Sequence, residues 1–402
     1  MKIFEPVGFR QAFPALQQPT VYLDSASTAL KPQTMIEAIT AYYATNTATA
    51  YRSLHPQAQE TTRALEQARL QVADLLHASS FQQIVWTKGV TESLNLIAQS
   101  YARSTLQAGD EIIVSELEHH SNLIPWLIVA QQTGAKVIKW QVDSTGSLSL
   151  HDYQQCLSTK TKIVAISQMS NVTGYAVDIE KVIKLAHKHS AVVVVDAAQG
   201  IVHHPLNVTE LDIDFYAFSA HKLYGPTGLG VLYAKTELLA QMPVWHGGGK
   251  MLKTASFAGF EALPAPQKFE AGTPDIAGII GFNAVLDWYQ TIDWQQAEQY
   301  TCHLAELAEQ RLSQMSGFTS YRAKQSTILS FTIKDIHHSD LALLLAEQHI
   351  AIRTGELCAQ PLIKALGVSG VIRASFMPYN NASDVELFVT ALQNALVILT
   401  ED

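Results

Sequence analysis

Residues 191–200, with the sequence AVVVVDAAQG, place four consecutive valines directly before an aspartate. An unbroken run of β-branched residues is typical of a parallel strand that is buried on both faces. This strand ends at Asp196, and a buried carboxylate without a partner is costly. Ligand sites in open α/β sheets lie at the carboxyl ends of strands. Asp196 is therefore either a cap of the following turn or a residue that binds a cationic or N–H group.

Short apolar runs and helical patterns alternate on both sides of this strand, which predicts a parallel sheet covered by helices on both faces. The predicted strands are 83–87, 111–114, 136–138, 163–166, 192–195, 212–219 and 229–233, and the helices between them include 91–102, 123–132 and 179–187. Beyond these, long helical patterns at 293–315 and 384–399 enclose short strands at 329–332 and 351–353. We predict a large α/β domain over residues 16–280 and a small α+β domain formed by residues 1–15 and 281–402.

The composition limits the class of protein. The chain has 402 residues, 48% of them hydrophobic and 16% charged, with a formal net charge of −9. This apolar fraction excludes a disordered chain, and the negative charge disfavours binding to nucleic acids or anionic membranes. The N-terminus contains no signal-peptide core, so we expect a soluble, cytoplasmic protein.

The three cysteines, Cys156, Cys302 and Cys358, are widely spaced and form no C-x-x-C motif. This pattern excludes a disulfide framework and disfavours a cysteine-based zinc site. Cys302 lies in an amphipathic helical pattern and Cys156 in the segment DYQQCLS, so we expect both to be structural. Cys358 lies in a loop that follows a short predicted strand, and functional residues are frequent in such loops.

Four further residues, Lys222, Ser219, Thr91 and His119, lie at or just after the ends of predicted strands. Lys222 lies between two apolar runs beside Ser219, Thr91 follows Gly89 at the start of a helix, and His119 follows the strand EIIV. Each has an ordinary alternative as a solvated lysine, a helix cap or an isolated histidine. The pair formed by His119 and His120 has no third ligand at metal spacing, so we predict no metal site.

Together these residues predict a pyridoxal phosphate site. Lys222 would form the Schiff base, and Asp196 would pair with the pyridinium nitrogen of the cofactor. Thr91 and Ser219 would hold the phosphate, because a helix start that carries a hydroxyl group binds anions. His119 would stack on the ring.

The chain resembles the fold-type I cysteine desulfurases of the class-V aminotransferase family over essentially its whole length. It is most similar to the branch that includes cysteine sulfinate desulfinases and selenocysteine lyases. The motifs that carry the resemblance are YLDSAST (22–28), EHHSN (118–122), SQMSNVTG (167–174), VDAAQG (195–200), SAHKLYGPTG (219–228), FEAGTPDIAG (269–278), RTGELCAQP (353–361) and IRASFMPYN (372–380).

The resemblance implies roles that the residues alone do not give. Gln199 is expected to bind the phenolic oxygen of the cofactor and His221 to join Ser219 at the phosphate. Thr273 is expected to reach the phosphate of a neighbouring subunit, which implies a homodimer with shared sites. The substrate carboxylate is expected to be bound by four residues: Asn171, Arg373, Arg353 and Arg52. Cys358 is expected to be the catalytic nucleophile that takes sulfur, beside the catalytic Lys222 and His119.

Three positions depart from the family pattern. The phosphate motif reads KGVTE instead of RGTTE, so that Val90 replaces a hydroxyl-bearing residue. Tyr51 stands where the family usually has a histidine, before Arg52. Leu357 replaces the histidine that commonly precedes the reactive cysteine, so Cys358 must be ionised by another group, such as Arg353 or a helix N-terminus.

We predict that the chain converts L-cysteine to L-alanine and passes the sulfur, as a persulfide on Cys358, to a small SufE-type acceptor protein. The alternative is a cysteine sulfinate desulfinase or selenocysteine lyase in which Cys358 is dispensable. The Cys358 loop disfavours a kynureninase or an aminotransferase. The set formed by Lys222, Asp196 and His119 disfavours a scaffold protein without chemistry. The sequence does not distinguish whether the sulfur is used for iron–sulfur cluster assembly or for the synthesis of thiolated cofactors.

Overall fold

A computed structural model describes residues 2–51 and 53–400 of the chain. Its α-helices are Pro6–Gln11, Gln33–Thr45, Pro56–Leu76, Val90–Leu96, Arg103–Thr105, Ile124–Thr133, Leu150–Cys156, Ile179–Lys188, Gly200–His203, Thr236–Gln241, Ile276–Tyr289, Trp294–Leu312, His338–Glu347, Gln360–Ala365 and Ala382–Thr400. A π-helical segment, Ile97–Ala102, joins the helix that begins at Val90 to the one that begins at Arg103. Short 3₁₀ helices occupy Pro14–Gln17, Phe81–Gln83, His120–Asn122, Ala220–Lys222 and Gln267–Phe269.

A seven-stranded sheet forms the centre of the described chain. In spatial order its strands are Ile84–Thr87, Gly230–Ala234, Phe215–Ser219, Val192–Asp196, Thr161–Ser167, Glu111–Ser115 and Lys136–Trp140. The prediction of a parallel sheet is wrong for one strand, because Gly230–Ala234 runs antiparallel to both of its neighbours. The connection over residues 220–229 is shorter than the roughly dozen residues that a parallel crossover needs. The predicted large domain is therefore α/β with a mixed sheet.

The strand directions bring the predicted strand-end residues to one edge. Asp196 pairs in register with Ser167 on one side and with Ala217 on the other. Strand Ile84–Thr87 has the same direction as Phe215–Ser219, since both are antiparallel to Gly230–Ala234. Its carboxyl end therefore meets the same edge. A Cβ atom on Gly230 would lie 2.4 Å from Cα of Gly89, so this close approach requires glycine.

A second, four-stranded antiparallel sheet lies in the C-terminal part. Its order is Phe318–Ser320, Ile328–Ile333, Val371–Ser375 and Arg353–Gly355. A short parallel pair joins Val21–Tyr22 to Ile350–Ala351, and Leu252–Ser256 forms a hairpin with Gly259–Ala262. The predicted strand 351–353 is thus divided between two strands. The predicted strand 212–219 begins only at Phe215.

The predicted domain boundary at residue 280 falls inside the helix Ile276–Tyr289. Phe282 of this helix belongs to the same hydrophobic core as Phe9 and Phe13, which both contact Tyr224 of the predicted large domain. We therefore propose that residues 6–13 and the whole helix to Tyr289 pack as part of the large domain.

Among the described residues, the helix Ala382–Thr400 is long and apolar enough to span a membrane by length and composition alone. Its Val385, Phe388 and Leu392 are buried in a core that also contains Phe331 and Phe376. Packing against the small sheet accounts for the apolar face of this helix.

Candidate active site

A cavity of about 600 Å³ opens at the carboxyl edge of the central sheet. This volume is in the usual range for a small-molecule site. Eleven of the predicted site residues line it, namely Thr91, His119, Asn171, Asp196, Gln199, Ser219, His221, Lys222, Arg353, Cys358 and Arg373. The structure therefore brings together residues from both predicted domains.

The other two predicted site residues are Thr273 and Arg52. Thr273 lines a separate cavity of about 280 Å³ beside Thr49 and Lys250. Arg52 lies outside the residues that the structure describes.

Lys222 and Asp196 carry opposed charges at the base of the large cavity. Lys222 ends the 3₁₀ helix that follows strand Phe215–Ser219. Burial lowers the pKa of Lys222 to about 8, the charges of Arg373 and Arg353 act in the same direction, and Asp196 opposes them. Burial also raises the pKa of Asp196, against a hydrogen bond from the Ala198 amide and the charge of Lys222. Perturbed groups of this kind in a cleft are typical of functional sites.

Hydrogen-bond donors and hydroxyl groups collect at one end of the cavity. The Ser219 hydroxyl accepts a hydrogen bond of 2.8 Å from the Val90 amide, at the start of the helix that also presents Thr91. Nδ1 of His221 is buried and has no hydrogen-bond partner within the described chain. Burial lowers the pKa of His221 to about 4, with contributions from the charges of Lys222 and Lys31. This end can hold an anionic group.

His119 is neutral at physiological pH. Its pKa is lowered to about 4, first by burial and then by the charges of Lys222 and other nearby cations. The Ser121 amide donates to Nδ1 of His119, which assigns the proton of the ring to Nε2. A neutral imidazole on the cavity wall can stack on a planar ligand.

Two of the predicted carboxylate-binding arginines, Arg373 and Arg353, share one acidic partner that sequence analysis missed. Asp24 lies 3.1 Å from Nη2 of Arg373 and 3.3 Å from Nη2 of Arg353. Burial lowers the pKa of Arg373 to about 10, while Asp24 opposes this shift. Asp24 lies within the motif YLDSAST, after the short strand Val21–Tyr22 and Leu23. Its place in this motif after a strand could have identified it as a site residue from the sequence.

Cys358 lies on the cavity wall in a tightly fixed loop. Leu357 and Cys358 both have left-handed backbone conformations, with φ values of 53° and 55°. The side-chain amide of Asn171 donates to the Leu357 carbonyl at 2.9 Å, and the His120 amide donates to the Cys358 carbonyl at 2.8 Å. Cys358 is nevertheless exposed. Asn171 thus holds the cysteine loop in place. The sequence analysis predicted only that Asn171 binds the substrate carboxylate and did not include this contact.

The other two cysteines differ from Cys358 in their surroundings. Both are half-buried. Burial raises the pKa of Cys302 to about 12, with further contributions that include the charge of Glu298, and burial also raises the pKa of Cys156. A thiol with a raised pKa is a poor nucleophile at neutral pH.

Glu118 is a second buried acid that sequence analysis did not single out. Its carboxylate accepts hydrogen bonds from the Ser167 amide at 2.9 Å and from the Asn122 side chain at 2.6 Å. Burial raises the pKa of Glu118 to about 7 against these bonds. Glu118 therefore connects the segment that carries His119 to the strand end at Ser167.

Comparison with known proteins identifies the family. The model of the aminotransferase class-V family matches residues 21–388. The cysteine desulfurase CsdA of Escherichia coli is 51% identical over 401 residues, which are 100% of each chain. A crystal structure of that protein in an S-sulfonic acid form matches with a TM-score of 0.94, covering 98% of this chain and 99% of the other. An apo cysteine desulfurase from Thermococcus onnurineus is 34% identical, with the same TM-score and the same coverage.

The chain belongs to the cysteine desulfurases of the class-V aminotransferase family. This membership confirms the predicted fold type, a fold-type I enzyme that depends on pyridoxal phosphate. The residues of the cavity fit this cofactor. The buried Asp196 carboxylate suits a protonated ring nitrogen, and the unpartnered His221 Nδ1, with Ser219 and Thr91, suits a phosphate.

The desulfurase cavity predicts how the rate of cofactor loading depends on pH. Only the neutral Lys222 amine can attack the cofactor aldehyde. Because the pKa of Lys222 is lowered to about 8, the loading rate of the cofactor-free chain should rise through pH 8 and level off above it. An unshifted lysine would give a rate that still rises beyond pH 10. Stopped-flow absorption between pH 6.5 and 10.5 measures this midpoint.

Asp196→Asn is the matched variant, because Asp196 raises the pKa of Lys222. Its removal should move the midpoint to lower pH. A midpoint that stays unchanged would contradict the electrostatic coupling of these two residues.

Proposed function

We propose that this chain converts L-cysteine to L-alanine and takes the sulfur onto Cys358 as a persulfide. The observation that carries the proposal is that one cavity contains Lys222, Asp196, His119 and the exposed thiol of Cys358. The cysteine desulfurase relatives support the same reaction.

The bound cofactor supplies an electron sink for the carbanion at the substrate Cα. Lys222 holds the cofactor and moves the Cα proton, a task for which its lowered pKa is suited. Asp196 keeps the ring nitrogen protonated, and His119 stacks on the ring. Gln199 lines the cavity and would bind the phenolic oxygen through its side-chain amide, which also donates to the Ala26 carbonyl at 2.7 Å.

The phosphate and the substrate carboxylate take opposite ends of the cavity in this proposal. Thr91, Ser219 and His221 hold the phosphate. The substrate carboxylate meets Arg373 and Arg353, because a guanidinium group binds a carboxylate through two parallel hydrogen bonds. Asn171 and Arg52 complete the proposed set.

The sulfur step balances without an external oxidant. The Cys358 thiolate attacks the substrate sulfur and forms the S–S bond. The bond between the substrate Cβ and sulfur breaks, and its electron pair stays on the carbon side. Protonation of that carbon then gives alanine, while the persulfide stays on Cys358.

Two variants test these assignments. Lys222→Ala should remove the visible absorption of the lysine-bound cofactor and lower turnover by at least ~10²–10⁴-fold, the usual contribution of a proton-transfer group. Cys358→Ala should keep the absorption and lose alanine formation from cysteine. Absorption spectra and alanine release measure both effects.

Cys302→Ala is the control, because its thiol has a raised pKa and does not line the cavity. It should behave like the wild type. Desulfination of cysteine sulfinate by Cys358→Ala at the wild-type rate, together with unchanged turnover of cysteine, would contradict the desulfurase reaction and favour the alternative.

We further propose a homodimer in which Thr273 reaches the phosphate of the neighbouring subunit. The separate cavity that Thr273 lines supports this, since Thr273 is apart from the cofactor-binding residues of its own chain. Thr273→Ala should weaken cofactor binding, and so should Lys222→Ala. Mixed dimers of the two variants should contain one intact site and regain activity above that of the Thr273→Ala homodimer.

This subunit-mixing experiment has a clear control. A chain that carries both substitutions, mixed with wild type, leaves one site without Thr273 and the other without Lys222. No recovery in the first mixture, with dimers demonstrated by native mass spectrometry, would contradict the shared site.

We propose a cytoplasmic location and a small SufE-type acceptor protein that docks near residues 353–361, where Cys358 and Gln360 are exposed. Sulfur transfer from Cys358 to this acceptor should be faster than transfer to dithiothreitol. Gln360→Trp should slow transfer to the acceptor protein and leave transfer to dithiothreitol unchanged. Radiolabelled sulfur measures both rates, and equal rates for the two acceptors would contradict the proposal.

A further inference from the structure

The His119 ring is attached to a short turn that one buried carboxylate holds at both ends. His119 precedes the 3₁₀ helix His120–Asn122, and Nδ1 of its ring accepts a hydrogen bond from the Ser121 amide at 3.1 Å. This bond fixes the ring to the turn. Glu118 precedes the turn in the chain, and the side-chain amide of Asn122, the last residue of the turn, donates to Oε2 of Glu118 at 2.6 Å. A movement of the turn therefore moves the His119 ring with it.

The Glu118 carboxylate also fixes this turn to the central sheet. The Ser167 amide donates to Oε1 at 2.9 Å, the Ser167 hydroxyl donates to Oε2, and the Ser115 hydroxyl donates to Oε1. Ser167 ends its strand, pairs in register with Asp196 and lines the large cavity. The Glu118 residue is only 1% exposed. Its carboxylate therefore connects the turn that carries His119 to the strand residue beside Asp196.

Both oxygens of the Glu118 carboxylate have to accept a hydrogen bond. The Ser167 amide N–H can only donate, and it meets Oε1. The Asn122 side chain presents its NH₂ group to Oε2, because its Oδ1 accepts a hydrogen bond of 3.0 Å from the Trp126 indole N–H. In Glu118→Gln one of the two oxygens becomes an NH₂ group, which cannot accept. Whichever way that amide is turned, one buried donor loses its partner.

We propose that Glu118 is a positioning residue that sets the place of the His119 ring against the cofactor. The inference rests on the proposed function, in which His119 stacks on the ring of pyridoxal phosphate. Glu118 does not line the cavity, so it acts through His119 and is not itself catalytic. Stacking depends on the distance and tilt of the imidazole, and a misplacement of about 1 Å in an active site can cost about 10²-fold in rate.

The first test is the visible circular dichroism of the cofactor-loaded enzyme, because this signal reports the asymmetric surroundings of the bound cofactor. Glu118→Gln and His119→Ala should each change the visible band. A chain with both substitutions should give the band of His119→Ala alone, since the ring through which Glu118 acts is then absent. A separate change caused by Glu118→Gln in the His119→Ala background would overturn the proposal.

The rate of alanine formation from cysteine gives the same comparison. Glu118→Gln should lower kcat by about tenfold to 10²-fold, the upper figure corresponding to a displacement of about 1 Å. It should cause no further loss of kcat in the His119→Ala background, because the effects of coupled residues do not add. An equal loss in both backgrounds would contradict an action through His119, since a merely structural role is independent of that ring.

Asp214→Asn is the matched control for a loss of stability. Asp214 is also a buried carboxylate, but it accepts a hydrogen bond of 2.8 Å from the Val193 amide, near the opposite end of the strand that ends at Asp196. This variant should lower the melting temperature and leave the visible band and kcat unchanged.

Asn122→Ala removes the bond between Glu118 and the turn from the other side, and it decides if Glu118→Gln does not fold. It should change the visible band in the same way, and only when His119 is present. An unchanged band in the folded, cofactor-loaded variant would overturn the proposal.

The two readouts separate this inference from the proposed function. A wild-type enzyme that binds the cofactor but forms no alanine from cysteine would overturn the proposed function, and the circular dichroism comparison would still decide the role of Glu118. A wild-type enzyme that forms alanine, with the visible band of Glu118→Gln identical to its own, would overturn the positioning role alone.

Discussion

The burial of the Asp196 carboxylate is the constraint on which the site depends. Asp196 ends a strand whose neighbours are buried on both sides, so its charge is poorly solvated and its pKa is raised. A buried carboxylate needs a cationic or N–H partner. Lys222 is close enough for the two charges to stabilise each other, but burial dominates at Lys222 and still lowers its pKa. The raised pKa of Asp196 and the lowered pKa of Lys222 thus have one physical origin, which is the burial of both groups at the sheet edge.

The second constraint concerns the thiol. In the proposed reaction, Cys358 must be exposed to meet both a substrate and an acceptor, yet it must also stay at a fixed position. The backbone of the loop fixes the position of Cys358 while its side chain stays exposed. Two consecutive left-handed residues turn the chain sharply, and hydrogen bonds from Asn171 and His120 hold the carbonyl groups of Leu357 and Cys358. Such conformations persist only when the surrounding structure holds them.

The sequence was informative where local pattern determines position. The valine run before Asp196 and the apolar runs before Ser219 and Gly89 predict strand ends, and strand ends of one direction meet at one edge. The sequence contains no comparable local pattern that predicts contacts between distant segments. The hydrogen bond from Asn171 to Leu357 and the ion pairs of Asp24 join residues far apart in the chain. Strand Gly230–Ala234 was predicted, but its antiparallel direction was missed because apolar content gives no direction. The short connection before it was the signal for that direction.

If the proposed substrate-binding role is right, the cluster around Asp24 limits the charge of the substrate. Arg353 and Arg373 carry two positive charges, and Asp24 carries one negative charge, so the cluster has one net positive charge. If the two arginines receive the substrate carboxylate, that single anion neutralises the cluster. Cysteine sulfinate brings a second anionic group, which would leave an excess negative charge near the half-buried Asp24 carboxylate. The thiol of cysteine brings no obligatory charge. Among the described residues of this cluster, the electrostatic count therefore favours cysteine as the proposed substrate, in agreement with the exposed thiol of Cys358 in the same cavity.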